Sequence, residues 1–217
     1  GSLAPEDLLR LARKRTGLSD FGDGRFREGL DRLTDSLESE AGLSPIGRVI
    51  AQTDLVGHLA NRLQLMDWHA RYPEIGEIPI RQPIFIVGQG RTGTTILHEL
   101  LALDPTNRVP LTWETDLPFP PPERAHYTTD PRIAQSQAQI DRSESLIPDF
   151  KRMHRMGAEV PQECVRITAG DFRSAIFPAQ WREPSYTRWL IEEADMTSAY
   201  AYHRLTLQLL SWRCPGE

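Results

Sequence analysis

The stretch Ile84-Phe85-Ile86-Val87-Gly88-Gln89-Gly90-Arg91-Thr92-Gly93-Thr94-Thr95-Ile96-Leu97-His98-Glu99-Leu100-Leu101 decides how the chain reads. Its first four residues are β-branched or aromatic without a polar interruption, the pattern of a strand buried on both faces. A glycine-rich turn follows at once. From Ile96 to Leu103 the pattern is helical, with Leu97, Leu100 and Leu101 turned inward, and Asp104-Pro105 stops it. Strand, glycine turn and helix in that order form the first unit of a parallel α/β sheet. The expected fold is therefore α/β, a P-loop-like parallel sheet flanked by helices.

Gly88 and Gly93 stand five apart, as in the phosphate loop G-x-x-x-x-G-K-[ST]. Glycines let the backbone curl so that several N–H groups face one anion, and the following helix adds the positive end of its dipole. A nucleoside-triphosphate loop has Lys after the second glycine, reaching the β- and γ-phosphates. Here Thr94 occupies that place, and the cation is Arg91 inside the loop. The residues expected to hold an anion are Gln89, Gly90, Arg91, Thr92, Gly93, Thr94 and Thr95.

Toward the N-terminus the chain reads as helical. Asp7 to Arg13 is a short amphipathic stretch, and Asp20-Phe21-Gly22-Asp23-Gly24 is a turn cluster. Arg25 to Glu40 puts Phe26, Leu30, Leu33 and Leu37 on one face. Ser44-Pro45 opens a long helix with an N-cap and a first-turn proline, and that helix ends near Tyr72-Pro73. Its apolar positions include Ile46, Val49, Ile50, Leu59, Leu63 and Met66. Toward the C-terminus, Pro118 to Pro122 is a rigid linker. Helical patterns follow over about 130–146, 161–169, 184–194 and 198–213, the last with Tyr202, Leu205, Leu209 and Trp212 on one face.

Composition narrows the classes. The chain has 217 residues, 39% of them hydrophobic and 25% charged, which suits an ordinary globular protein. A formal net charge of -5 argues against a dedicated nucleic-acid binder. No apolar run reaches the length of a membrane span, about 18 residues. Two cysteines, Cys164 and Cys214, make neither a disulfide framework nor a metal cluster, and read as buried, reduced thiols of a cytoplasmic protein.

The arrangement Arg91-Thr92-Gly93-Thr94-Thr95 after an apolar strand resembles the 5′-phosphosulfate loop of sulfotransferases. The wider order is similar to the bacterial members of that family: loop, apolar helix, Asp104-Pro105, Trp113-Glu114, then Pro118 to Pro122. Pro161-Gln162-Glu163-Cys164 and Phe172-Arg173-Ser174 fit the same pattern. The resemblance implies transfer of a sulfuryl group from 3′-phosphoadenosine 5′-phosphosulfate, without a metal, to a hydroxyl of a small molecule or lipid. It implies a helical region over 1–80 and, over 81–217, the front part of the sulfotransferase domain with a helical insertion on the substrate side. A homo-oligomer is compatible with it. Neither the family's 3′-phosphate pattern nor a second clear strand follows residue 103. The native protein is therefore expected to be longer, with the apolar face near 205–213 either exposed or covered by another chain.

Arg91 is the residue expected to meet the sulfuryl and bridging oxygens as charge develops. The acceptor hydroxyl needs a base within hydrogen-bond reach. Glu114 leads, because tyrosylprotein sulfotransferases place a catalytic Glu at similar spacing from the loop. Glu163 and His154 stand behind it. An ordinary solvated or capping carboxylate is the plain reading of Glu114 and of Glu163. His98 reads as structural, and His58, His69, His126 and His203 as packing or surface residues. Two other classes stay open: a P-loop phosphotransferase such as a small kinase, against which the missing Lys counts, and a non-catalytic helical interaction module.

Overall fold

The computed structural model describes residues 1–146 and 155–215. Helix α1 runs Pro5–Thr16, with Glu6 and Asp7 in its first turn, Arg13, Lys14 and Arg15 in its last, and Gly17 closing it at φ 73°. Charges of those signs at those ends complement the helix dipole, and a left-handed residue at the C-terminus suits glycine. Helix α2, Phe26–Ser39, buries Phe26, Leu30, Leu33 and Leu37, the stripe its periodicity predicts. Helix α3 spans Pro45–Arg71, and the Ser44 side chain accepts from the Gly47 N–H at 3.1 Å. Its inner positions Leu55, Leu59 and Leu63 are buried, whereas Ile46, Val49 and Ile50 of its first turns stand exposed.

The remaining helices are α4 (Thr94–Ala102), α5 (Thr112–Asp116), α6 (Pro131–Leu146), α7 (Cys164–Thr168), α8 (Ile176–Gln180), α9 (Pro184–Glu192) and α10 (Thr197–Trp212). The chain divides into two compact units: one made of 1–76 and 164–206, the other of 77–163 and 207–217.

The first unit is built on an apolar core and one buried ionic cluster. Leu8, Leu9, Leu30, Leu33, Leu55, Leu59, Leu63, Phe172 and Phe177 meet in the core. Beside them Asp171, fully buried, accepts from Arg62 Nη1 at 3.1 Å, Arg173 Nη1 at 3.2 Å and Ser198 Oγ at 2.7 Å. The Arg62 guanidinium also donates to Phe21 O at 2.7 Å and lies over the Phe26 ring, 4.4 Å from its centroid. Arg173 donates to Arg25 O at 2.9 Å and Glu28 Oε2 at 2.7 Å. One carboxylate thus ties the start of the chain to residues far along it, and its buried charge is tolerated because it is paired with two guanidinium groups and hydrogen-bonded to a hydroxyl.

The expected parallel sheet is absent. The described residues contain no sheet, and helix dominates the chain. Their isolated strand-type contact is an antiparallel bridge between Leu111 and Pro161. The physical reason lies in pairing. A β-branched run favours extended backbone, yet a strand exists only where a second segment takes its N–H and C=O groups. Among the described residues none pairs with Ile84–Val87, and Ile84, Phe85 and Val87 stay 62%, 73% and 91% exposed. Helix α4 likewise exposes Ile96, Leu97 and Leu100. The face of α10, by contrast, is covered: Tyr202, Leu209 and Leu210 are buried. The large apolar surface therefore lies at 84–103 and not near 205–213. Cys214 is buried, as expected, but Cys164 is exposed.

Candidate functional site

The glycine loop keeps its shape without a strand before it. Gly93 stands at φ 94° as the residue before α4, and Arg91 at φ 69° two residues earlier. Left-handed backbone at a non-glycine residue costs on the order of 1–2 kcal/mol, so Arg91 holds a conformation that the turn imposes. The turn is closed locally: Thr92 Oγ1 donates to Gln89 O at 2.6 Å. At Gly88 a Cβ would fall 2.9 Å from Thr94 Cγ2 and 3.1 Å from Thr92 Oγ1, too close for a side chain. No side chain caps the start of α4. Its first N–H groups have no partner within the helix and have the helix dipole behind them, which is the arrangement that attracts an anion. Arg91, Thr92 and Thr95 are exposed and Thr94 is half-buried. Arg91 makes no ion pair among the described residues.

Glu114 sits elsewhere in the same unit and is fully buried. Its Oε1 is held by Arg108 Nη2. Its Oε2 accepts from Arg108 Nη1 at 3.0 Å, Tyr127 OH at 2.9 Å and the Leu111 N–H at 2.9 Å. Arg108 reaches further, to Val109 O at 2.7 Å and to the Leu210 and Cys214 carbonyls at 3.3 Å. Burial pushes the Tyr127 phenol up, and the Glu114 carboxylate beside it adds to the shift. The arrangement is a clamp: a bidentate Arg–carboxylate pair that anchors the end of α10 to the segment ahead of α5.

Glu163 is exposed. The Leu111–Pro161 bridge carries it to the segment that holds Glu114, although the two carboxylates are far apart in sequence. Thr112 N donates to Val160 O at 3.0 Å, Trp113 N to Ala158 O at 3.0 Å, and Gln162 N to Pro110 O at 2.9 Å. Neither Glu114 nor Glu163 pairs with Arg91. His154 lies outside the described residues. His69 Nε2 meets Leu205 O at 3.0 Å. His58 stacks edge-on against Phe172 and Phe177, and burial lowers it to about 4, with the Arg166 charge adding to the effect.

Arg108, Tyr127, Thr112 and Gln162 are the residues that sequence reasoning missed here. Arg108 and Glu114 are six apart, a spacing that no regular element brings face to face. The contact between 112 and 162 crosses fifty positions and leaves no periodic trace. No group of three or more His, Cys, Asp or Glu among the described residues is arranged to hold a metal ion, and no helix is long and apolar enough to cross a membrane.

Residues 83–210 match the model of the sulfotransferase family. Two solved structures are similar along nearly the whole chain. Sulfotransferase STF1 from Mycobacterium tuberculosis H37Rv shares 34% identity at a TM-score of 0.83, over 96% of this chain and 57% of that one. Sulfotransferase STF9 from Mycobacterium avium shares 32% identity at a TM-score of 0.87, over 100% of this chain and 56% of that one. The chain therefore spans a little over half the length of these two proteins. No curated protein matches it.

Proposed function

This chain belongs to the sulfotransferase family, and from that premise we propose that it moves a sulfuryl group from 3′-phosphoadenosine 5′-phosphosulfate to a hydroxyl of a small molecule or lipid. The observation that carries the reading is the loop: an uncapped start of α4 with left-handed residues at 91 and 93, the first of them an exposed arginine. These residues fit the 5′ end of such a donor. The donor supplies a sulfur electrophile and a phosphate leaving group that gathers negative charge. The chain supplies position and electrostatics. Backbone N–H groups of Gln89 to Thr95 cradle the 5′-phosphate, and the Thr94 and Thr95 hydroxyls add donors. Thr92 contributes through its backbone, because its hydroxyl already serves Gln89 O. Arg91 stabilises the charge as it grows.

Proton removal from the acceptor hydroxyl goes to Glu163. Burial argues against Glu114: it is fully buried, and its two oxygens already accept four hydrogen bonds, two of them from one guanidinium. Glu163 keeps its carboxylate in solvent within the same unit as the loop. Turnover of labelled donor with a panel of hydroxyl acceptors separates the two. Glu163→Gln should lose about a hundredfold or more in turnover with its melting temperature unchanged. Glu114→Gln should instead unfold more easily, by about 1–3 kcal/mol, because the half-buried Arg108 loses its countercharge. Wild-type turnover in Glu163→Gln would sink the assignment.

A further inference from the structure

The pairing that positions Glu163 is a non-hydrogen-bonded antiparallel pair, whose bonds lie on its flanks, Thr112 N to Val160 O at 3.0 Å and Gln162 N to Pro110 O at 2.9 Å. At the Leu111–Pro161 bridge neither residue has an N–H to offer its partner. Pro161 has none, and that of Leu111 goes to Glu114 Oε2 at 2.9 Å. Leu111 O is also taken, accepting from the Glu114 and Thr115 N–H groups at 3.0 and 3.1 Å. Register therefore rests on the flanks. There, beside the backbone bonds, runs a side-chain relay. Gln162 Nε2 donates to Thr112 Oγ1 at 2.8 Å, and Thr112 Oγ1 donates to Val160 O at 3.1 Å. One hydroxyl grips the chain on both sides of Pro161. Thr112 is 2% exposed, so little water competes for these bonds.

A β contact this short is marginal by itself. Without the relay, Gln162 would be held by a single backbone bond, and Glu163 is the next residue along. Displacement of a reacting group by about 1 Å can cost a hundredfold in rate. We propose that the Thr112 hydroxyl and the Gln162 carboxamide are positioning residues that hold Glu163 for proton transfer. The inference rests on the reading of Glu163 as the proton acceptor.

A double-mutant cycle tests both and keeps them apart. Thr112→Val keeps the shape and removes the hydroxyl, while Thr112→Ser restores it. With labelled donor, Thr112→Val should lower kcat roughly tenfold or more at an unchanged donor KM, and Thr112→Ser should recover most of the loss. Gln162→Leu, at a half-buried position, should repeat the effect even if a buried valine disturbs folding. In a Glu163→Gln background, Thr112→Val should cost nothing more, because its effect passes through the missing carboxylate. Wild-type kcat in Thr112→Val and Gln162→Leu, with Glu163→Gln inactive, overturns the inference alone. So does an equal further loss in the Glu163→Gln background. Wild-type turnover in Glu163→Gln overturns it together with the assignment beneath it.

Discussion

The turn at Arg91 and Gly93 was legible because its backbone conformation is decided locally. A loop that curls its N–H groups toward one point favours glycine where φ is positive, as at Gly93, although Arg91 takes such a φ without being glycine. The burial of Glu114 was not legible, because its spacing from the loop says nothing of depth. Whether a carboxylate faces a substrate or an arginine depends on Arg108 and Tyr127, which the chain brings up from positions without a pattern. His58 shows the same limit from the other side: its sequence context is bland, yet its ring packs edge-on against both Phe172 and Phe177. Burial favours the neutral ring, lowering it from 6.5 to about 4 in the folded state. Above pH 6.5 the ring is neutral in both states and costs nothing. As pH falls below that, the unfolded chain takes up a proton that the folded chain refuses until about pH 4, so stability declines across that window. Urea denaturation at pH 7 and pH 5 should show a larger drop for the wild type than for His58→Gln. Equal drops would mean that the ring does not titrate differently in the two states.

Helices were readable almost throughout, since each carries its own period and its own ends. Ser44 with Pro45, the stripe on α2 and the stop after Arg71 all depend on residues within a few positions of one another. The sheet was not readable, because a strand is a relation between segments, and Ile84–Val87 carries only one half of it. Tertiary anchors of the helices were equally hidden. The carboxylate of Asp171 joins Arg62 on α3 to Arg173 and to Ser198 at the start of α10. Asp171→Ala leaves two guanidinium groups buried without their shared countercharge. It should cost about 3–5 kcal/mol of stability, read as a lowered urea midpoint. A change within ±0.5 kcal/mol, the usual size for a surface substitution, would show that the cluster carries no such weight.

At the scale of the whole molecule, the chain belongs to the sulfotransferase family, while the rival phosphotransferase reading needs a lysine that the loop lacks. The two readings differ in what the loop should prefer. Titration of the protein with adenosine 3′,5′-bisphosphate in the absence of metal, beside ATP with magnesium, is the most direct measurement. The account predicts saturable binding of the bisphosphate that needs no metal and exceeds that of ATP. It also predicts that Arg91→Ala weakens this binding about tenfold or more, the worth of one charge-assisted hydrogen bond. Tighter binding of magnesium ATP, or bisphosphate binding indifferent to Arg91→Ala, would contradict it.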